Sequence, residues 1–207
     1  MKKIVILLVL AALLTGGAFA QMNVGGGVLF DMSLGNGMKF ESGSTSLAEL
    51  NINNTTIGAF VFFDYTFVEV DLSFGYGMFS MESKVLDEVV GDVKLNGFQL
   101  GVSVLGKYPI DLGMITLFPL IGINYNMVLS LTIEDGAELS DAGDYSQFGL
   151  LAGLGLDFPL SDSLFIRAEA LFQLRLSSKE VNDALSSDWK ATLGLGPRIK
   201  VGVGFKM

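Results

Sequence analysis

The chain has 207 residues and a formal net charge of −9 at pH 7, from 22 acidic and 13 basic side chains. This acidity argues against nucleic acid as a partner, and with no cysteine the fold cannot rely on disulfides. Half of the residues are hydrophobic, yet the chain contains 26 glycines and only 4 prolines. This composition argues against a soluble exported enzyme.

The first twenty residues have the pattern of a secretory signal peptide. Two lysines precede an apolar run over residues 4–14. The run has about 11 residues and is too short to span a bilayer, which needs about 20. Ala18 and Ala20 supply the small side chains that signal peptidase requires. We predict export, a cleaved signal peptide over 1–20 and one domain over 21–207.

Alternation of apolar and polar residues predicts strands with two different faces. In Val68–Met78, every even-numbered residue is apolar and every odd-numbered residue is acidic, hydroxyl-bearing or glycine. Eight segments alternate in this way, and they predict eight antiparallel strands: Val24–Met32, Ile57–Phe67, Val68–Met78, Leu95–Tyr108, Ile115–Leu129, Gln147–Phe158, Leu164–Leu176 and Trp189–Met207.

The connections between these segments alternate in length. Those after the second, fourth and sixth segments are short, whereas 33–55, 79–92, 130–146 and 177–188 are predicted to be long loops. The long connections together carry the whole net charge of the chain after the signal peptide, which is −11 once two lysines are removed from −9. Strands and short turns are therefore neutral together, as expected if inward charges pair in a confined lumen.

One stretch could instead be read as a transmembrane helix. Residues 112–133 carry no charge over 22 positions, which is long enough to span a bilayer. Pro119, Gly122, Asn124 and Asn126 fall in its middle, however, and no second helical candidate exists. Alternation explains these residues better.

The last segment carries the most specific motif of the chain. Apolar residues occupy every second position back from the C-terminus: Ile199, Val201, Val203, Phe205 and Met207. This pattern resembles the C-terminal insertion signal of bacterial outer-membrane proteins, which usually ends in an aromatic residue; here Met207 takes that place. Together with the segments 157–162 and 167–169, it makes the chain similar to the OmpA/OmpX/OmpW-like families of small outer-membrane barrels.

The resemblance implies an all-β, eight-stranded antiparallel up-and-down transmembrane β-barrel, located in the outer membrane and inserted by the barrel-assembly machinery. About eight strands leave an interior just wide enough for side chains to fill. Inward glycines are expected to leave space for long basic groups. The alternation predicts an inward ionic network of Glu69, Asp71, Lys107, Asp157, Arg167, Glu169, Arg175, Arg198 and Lys200.

A charge-filled lumen favours a structural or surface-interaction role through long acidic extracellular loops. The expected contacts are outer-membrane lipid and a possible extracellular partner, with the barrel as a monomer. One alternative is a narrow channel for small apolar solutes or ions, as resemblance to OmpW-like barrels suggests. A soluble lipocalin-like binding barrel is another alternative, against which the outward bands of apolar residues count.

Catalysis is not expected, because the chain has no histidine and therefore no Ser–His or Asp–His pair. Metal sites built on histidine or cysteine are absent for the same reason, and we predict no metal and no cofactor. The carboxylates of the third long connection could hold Ca²⁺ through oxygen ligands, but their spacing misses the Ca²⁺-loop motif and a solvated acidic loop is favoured: Glu134, Asp135, Glu138, Asp141 and Asp144.

Overall fold

The computed structural model describes residues 22–42, 45–85, 88–134, 136, 142–176 and 189–207. Within these ranges, no helix has the length and hydropathy needed to cross a bilayer. A short 3-10 helix spans Ala142–Tyr145. The strands, in chain order, are β1 (Met22–Ser42), β2 (Thr45–Tyr65), β3 (Val68–Val85), β4 (Glu88–Lys107), β5 (Ile110–Asp111), β6 (Thr116–Val128), β7 (Thr132–Ile133), β8 (Gln147–Pro159), β9 (Leu164–Arg175), β10 (Trp189–Thr192) and β11 (Gly194–Lys206).

Eight of these strands form a closed ring of antiparallel neighbours. The order is β1–β2–β3–β4–β6–β8–β9–β11, and β11 pairs back onto β1 from Asn23↔Lys206 to Leu34↔Leu195. The pairing of β4 with β6 completes the ring. Each long strand thus pairs with the next long strand of the chain. The predicted eight-stranded antiparallel up-and-down barrel is confirmed.

The two faces of the wall have opposite character. Along β3, the outward Leu72, Phe74 and Tyr76 are 41–50% exposed, whereas the inward Glu69 and Asp71 are at most 1% exposed. The same alternation holds around the ring, so that large apolar side chains cover the outside. A closed barrel with its polar face inside and its apolar face outside is built for a lipid surrounding.

Two of the predicted long loops are strand instead, which corrects the prediction for 33–55 and 79–92. β1 and β2 continue to Ser42 and from Thr45, and β3 and β4 continue to Val85 and from Glu88. A strand needs about 9–11 residues to cross a bilayer. These four strands therefore extend well above the belt, which is the band of outward apolar side chains; above means toward the long connections. Their upper parts meet water on the outside and lose the apolar alternation, which explains why the sequence pattern missed them.

The pairing of β1 with β2 changes register in the upper parts of these strands. β1 has a register shift between Ser33 and Asn36, and Gly35 between them adopts a positive φ of 74°. Below this shift β1 pairs with β11, and above it β1 pairs with β10. The predicted continuous strand 189–207 is therefore divided at Leu193. In the third long connection, β7 pairs with β4, and the fourth, 177–188, lies outside the described residues.

A charged substitution on the belt tests the placement of the membrane. Val201 lies halfway along β11 and is 46% exposed. Val201→Arg should cost about 2–4 kcal/mol, as a charge does near the bilayer midplane, measured by urea unfolding of the barrel folded into phospholipid vesicles. Val89→Arg is the matched control, since Val89 is 57% exposed in the extension of β4. It should change the unfolding free energy by less than about 0.5 kcal/mol. Equal losses in both variants would contradict this placement.

Candidate functional site

The structure places all nine predicted network residues on the inner face of the barrel. They come from β3, β4, β8, β9 and β11, at every second position of each strand. Asp157 is the most accessible, with 16% of its side chain exposed. The other eight are at most 9% exposed: Glu69, Asp71, Lys107, Arg167, Glu169, Arg175, Arg198 and Lys200.

Arg167 organises the charges nearest the short turns. Its guanidinium contacts three carboxylates, at 2.5 Å from Glu69, 2.7 Å from Asp64 and 2.6 Å from Asp157. The bond to Asp157 is bidentate, because Nε also donates to Oδ1 at 2.7 Å. Lys107 adds a second cation at 2.5 Å from Asp64. Each charge of this cluster thus contacts an opposite charge, as a buried charge requires.

Aromatic rings enclose this cluster. The Arg167 guanidinium lies 4.4 Å, 5.0 Å and 5.2 Å from the ring centroids of Phe62, Phe118 and Phe165. A Cβ at Gly155 would overlap the Phe118 ring. The inward glycines were expected to make room for basic side chains. At this level the space is instead filled by phenylalanine rings, on which the arginine stacks.

Lys200 forms the next layer. Its ammonium lies 3.1 Å from Glu69 and 2.5 Å from Glu169, and it also binds Asp71. Within the described residues, carboxylates close enough to hold a metal ion occur here: oxygen atoms of Glu69, Asp71 and Glu169 lie within 4.8 Å of one another. Because Lys200 contacts all three, the cation at this position is supplied by the chain.

The third layer is less completely paired. Arg175 lies 2.9 Å from Asp31, while the nearest Arg198 nitrogen is 3.9 Å from the same carboxylate. Arg198 also donates to the Ser73 hydroxyl at 3.4 Å. Its Nε and Nη1 have no hydrogen-bond partner although the side chain is fully buried. Two arginines therefore share one aspartate.

Sequence reasoning missed two members of the network, Asp31 and Asp64. Both side chains are at most 4% exposed, and each binds two cations. The signal was present, because both residues alternate with the outward residues of segments that were already assigned to strands. With them, the charged cluster formed by the described part of the inner wall has six carboxylates and five cations, close to the predicted balance: Asp31, Asp64, Glu69, Asp71, Asp157 and Glu169, with Lys107, Arg167, Arg175, Arg198 and Lys200.

Uncharged residues line the end of the barrel nearest the long connections. A layer of amides and hydroxyls comes first, where Gln99 donates to Thr56 at 3.1 Å and to Asn54 at 3.5 Å. An apolar cap then follows, formed by inward side chains and by two residues of the third long connection: Phe79, Leu95, Val128, Leu131 and Ala142. Leu131 is 1% exposed. The described lumen is thus ionic at one end and apolar at the other.

The other predicted sites are placed as follows. The side chains of the insertion motif point outward and are 42–62% exposed: Ile199, Val201, Val203, Phe205 and Met207. Ala18 and Ala20 of the cleavage site lie outside the described residues. Of the five carboxylates weighed for Ca²⁺, Glu134 is exposed, Asp144 belongs to the 3-10 helix Ala142–Tyr145, and three lie outside the described residues: Asp135, Glu138 and Asp141.

A closed antiparallel barrel satisfies the hydrogen bonds of its wall without water, which is what a strand needs in lipid. Here the wall carries an apolar outer belt, aromatic pairs and a charged interior. Phe74 and Phe98 stack at 5.5 Å on the belt, and Phe67 and Tyr108 stack at 6.4 Å beside the short turns. These features define an integral β-barrel of the bacterial outer membrane.

No protein-family model and no curated protein matches the chain. Among solved structures, the chain is similar to the outer-membrane protein OprG from Pseudomonas aeruginosa, at 16% identity and a TM-score of 0.48 over 91% of this chain and 96% of that one. It is similar to the outer-membrane protease OmpT from Escherichia coli, at 7% identity and a TM-score of 0.47 over 93% and 100%. It is also similar to Neisserial surface protein A, at 13% identity and a TM-score of 0.46 over 90% and 97%.

Proposed function

We propose that this protein is a closed outer-membrane barrel with a non-catalytic structural or surface-interaction role. The observation that carries this proposal is the contrast between the two parts of the barrel. Buried side chains of opposite walls contact one another inside the barrel, whereas four strands extend above the belt. The protein would therefore present a surface to the exterior without providing an open path.

Closure of the lumen is supported by side chains from opposite walls. Arg167 on β9 reaches Glu69 on β3 and Asp64 on β2, and Lys200 on β11 reaches Asp71 on β3. Such pairs span the interior because an eight-stranded barrel is only as wide as its side chains. A wild-type barrel in a planar lipid bilayer is expected to pass no resolvable current, and a steady open-channel current would favour the conduit alternative.

The surface role is supported by the hairpin of β3 and β4. Its described upper part exposes Val85, Val89, Val90 and Val93 to 45–63%. Acidic groups accompany these valines, including Glu88 and Asp92. Exposed apolar residues within an acidic rim form a surface that suits a basic protein partner. We propose that the partner binds here and that its binding weakens with salt.

Export and insertion complete the proposal. A signal peptide over 1–20, cleaved after Ala20, would direct the chain to the periplasm. The outward apolar residues of β11, from Ile199 to Phe205, would then be read by the barrel-assembly machinery. The belt shows large apolar side chains around the whole ring, which suits a monomer surrounded by lipid.

Trimming the β3–β4 hairpin tests the surface role. Residues 82–92 are replaced by an Asn-Gly turn between Met81 and Val93, which pair across the hairpin. Bacteria that display the full barrel should bind basic proteins on an array of immobilised extracellular proteins, and the trimmed barrel should lose this binding.

The control for the trimmed variant is its barrel. It should still migrate faster on an unboiled gel than after boiling, which shows that the membrane part has folded. Equal binding by cells that display the full and the trimmed barrel would contradict the surface role. So would binding by cells with the full barrel that does not exceed the binding by cells without it.

A further inference from the structure

The mouth of the barrel beside the short turns contains a pocket of about 280 Å³. It lies at the opposite end from the proposed interaction surface, and it does not depend on that role. Strand ends and short turns from all sides contribute to its wall. Its polar and charged lining includes Asn23, Asp64, Lys107, Asp111, Asp157 and Lys206.

Asp64 is used asymmetrically at the inner end of this pocket. Its Oδ2 accepts three donors, from Lys107 at 2.5 Å, Arg167 at 2.7 Å and Asn23 at 3.2 Å. Its Oδ1 has no partner, although the side chain is 0% exposed. A buried acceptor without a donor is costly and is rarely left unused.

Asn23 repeats this arrangement in the same wall. Its Nδ2 donates to Asp64, which leaves its Oδ1 as a second buried oxygen without a partner. Asp64 and Asn23 therefore each present one oxygen that accepts no hydrogen bond, whereas the Nδ2 of Asn23 already donates to Asp64. A ligand that fits must bring N–H or O–H donors to this end.

The charge of the lining favours a cation over a neutral donor. Asp64 is bound by Lys107 and Arg167 through Oδ2 alone, and its free Oδ1 is a carboxylate oxygen, which accepts a stronger hydrogen bond from a charged donor than from a neutral one. Asp111 is exposed at the rim. A bare metal ion fits less well, because it would need six or more oxygen ligands. An ammonium group instead brings three directed N–H donors.

We propose that this pocket binds a small primary ammonium compound. The ammonium donates to Asp64 Oδ1 and Asn23 Oδ1, and the rest of the molecule extends toward the rim and Asp111. The volume suits a short aliphatic amine or diamine, since a water molecule takes about 30 Å³. The site faces the periplasm, so the ligand would be a solute of that compartment.

Calorimetric titration of the folded barrel in detergent micelles with 1,4-diaminobutane tests the proposal. Saturable binding is expected for the wild type. Asn23→Ala should weaken it about tenfold, the loss expected for one hydrogen bond to a charged group. Asp111→Asn should weaken it less, because Asp111 acts only as an exposed charge. Asn96→Ala, at the opposite end of the barrel, is the matched control and should bind like the wild type.

Two further titrations separate the possible occupants. Butane-1,4-diol has the same length without charge, and magnesium chloride supplies a hard cation. Neither should compete with the diamine at equal concentration. Equal binding of the diol, displacement by magnesium, no binding of the diamine, or undiminished binding by Asn23→Ala would each overturn the proposal. No conductance or adhesion measurement bears on it, so its failure is distinct from failure of the surface role.

Discussion

Replacing Lys200 with methionine is expected to lower the free energy of unfolding by about 3–5 kcal/mol, the usual cost of removing one partner from a buried ionic cluster. Lys200 is the shared cation of Glu69, Asp71 and Glu169, whose oxygens lie within 4.8 Å of one another. Methionine keeps most of the side-chain volume but removes the charge. Three carboxylates would then face one another in a confined interior, and Arg167 contacts only Glu69 among them.

The measurement is urea unfolding of the variant folded into phospholipid vesicles, followed by tryptophan fluorescence. Lys94→Met is the matched control, because Lys94 is exposed on the extension of β4; it should change stability by less than about 0.5 kcal/mol. Adding Glu169→Gln to Lys200→Met should restore part of the loss, since one of the three crowded negative charges is removed. An unchanged unfolding free energy in Lys200→Met would show that the Lys200 cluster does not hold the barrel together.

The membrane part of the fold was predictable because lipid imposes a strict rule on each residue. Outward positions must be apolar and inward positions must fill a narrow lumen, so alternation alone identifies the strands. The segment Val68–Met78 is the clearest example, and β3 begins at Val68 as predicted. The inward direction of Arg167 and Lys200 follows from the same rule, without any knowledge of their partners.

The strand extensions, the pairing inside the lumen and the apolar cap were not predictable from alternation. β1 and β4 extend above the belt, where their outward faces no longer meet lipid, so the strands continue without a pattern that marks them. Partner choice inside the lumen depends on how far each side chain reaches across the barrel. Arg167 meets Asp64, which is 103 positions away in the chain. Leu131 in the apolar cap is buried by tertiary packing of a connection, for which the sequence has no periodic signal.

Conductance is expected to appear only when both ends of the lumen are opened together. The inner variant combines Arg167→Ser with Phe118→Ser, which removes the bridging guanidinium and one ring beneath it. The outer variant combines Phe79→Ser with Leu131→Ser, which replaces the apolar cap by hydroxyls. Each variant alone should remain silent in a planar bilayer, and the fourfold variant should show discrete current steps.

The reason is that the two closures lie in series along one path. An apolar constriction excludes water even where the barrel below it is polar, so the inner variant stays closed by Phe79 and Leu131. The outer variant stays closed because Arg167 still bridges Asp64, Glu69 and Asp157. A heat-modifiable gel shift must first show that each variant is folded, since removing a buried phenylalanine costs about 3–5 kcal/mol. Current through the inner variant alone would mean that the cap is no barrier, and silence of the folded fourfold variant would place the decisive closure between them, at the layers of Lys200, Arg198 and Gln99.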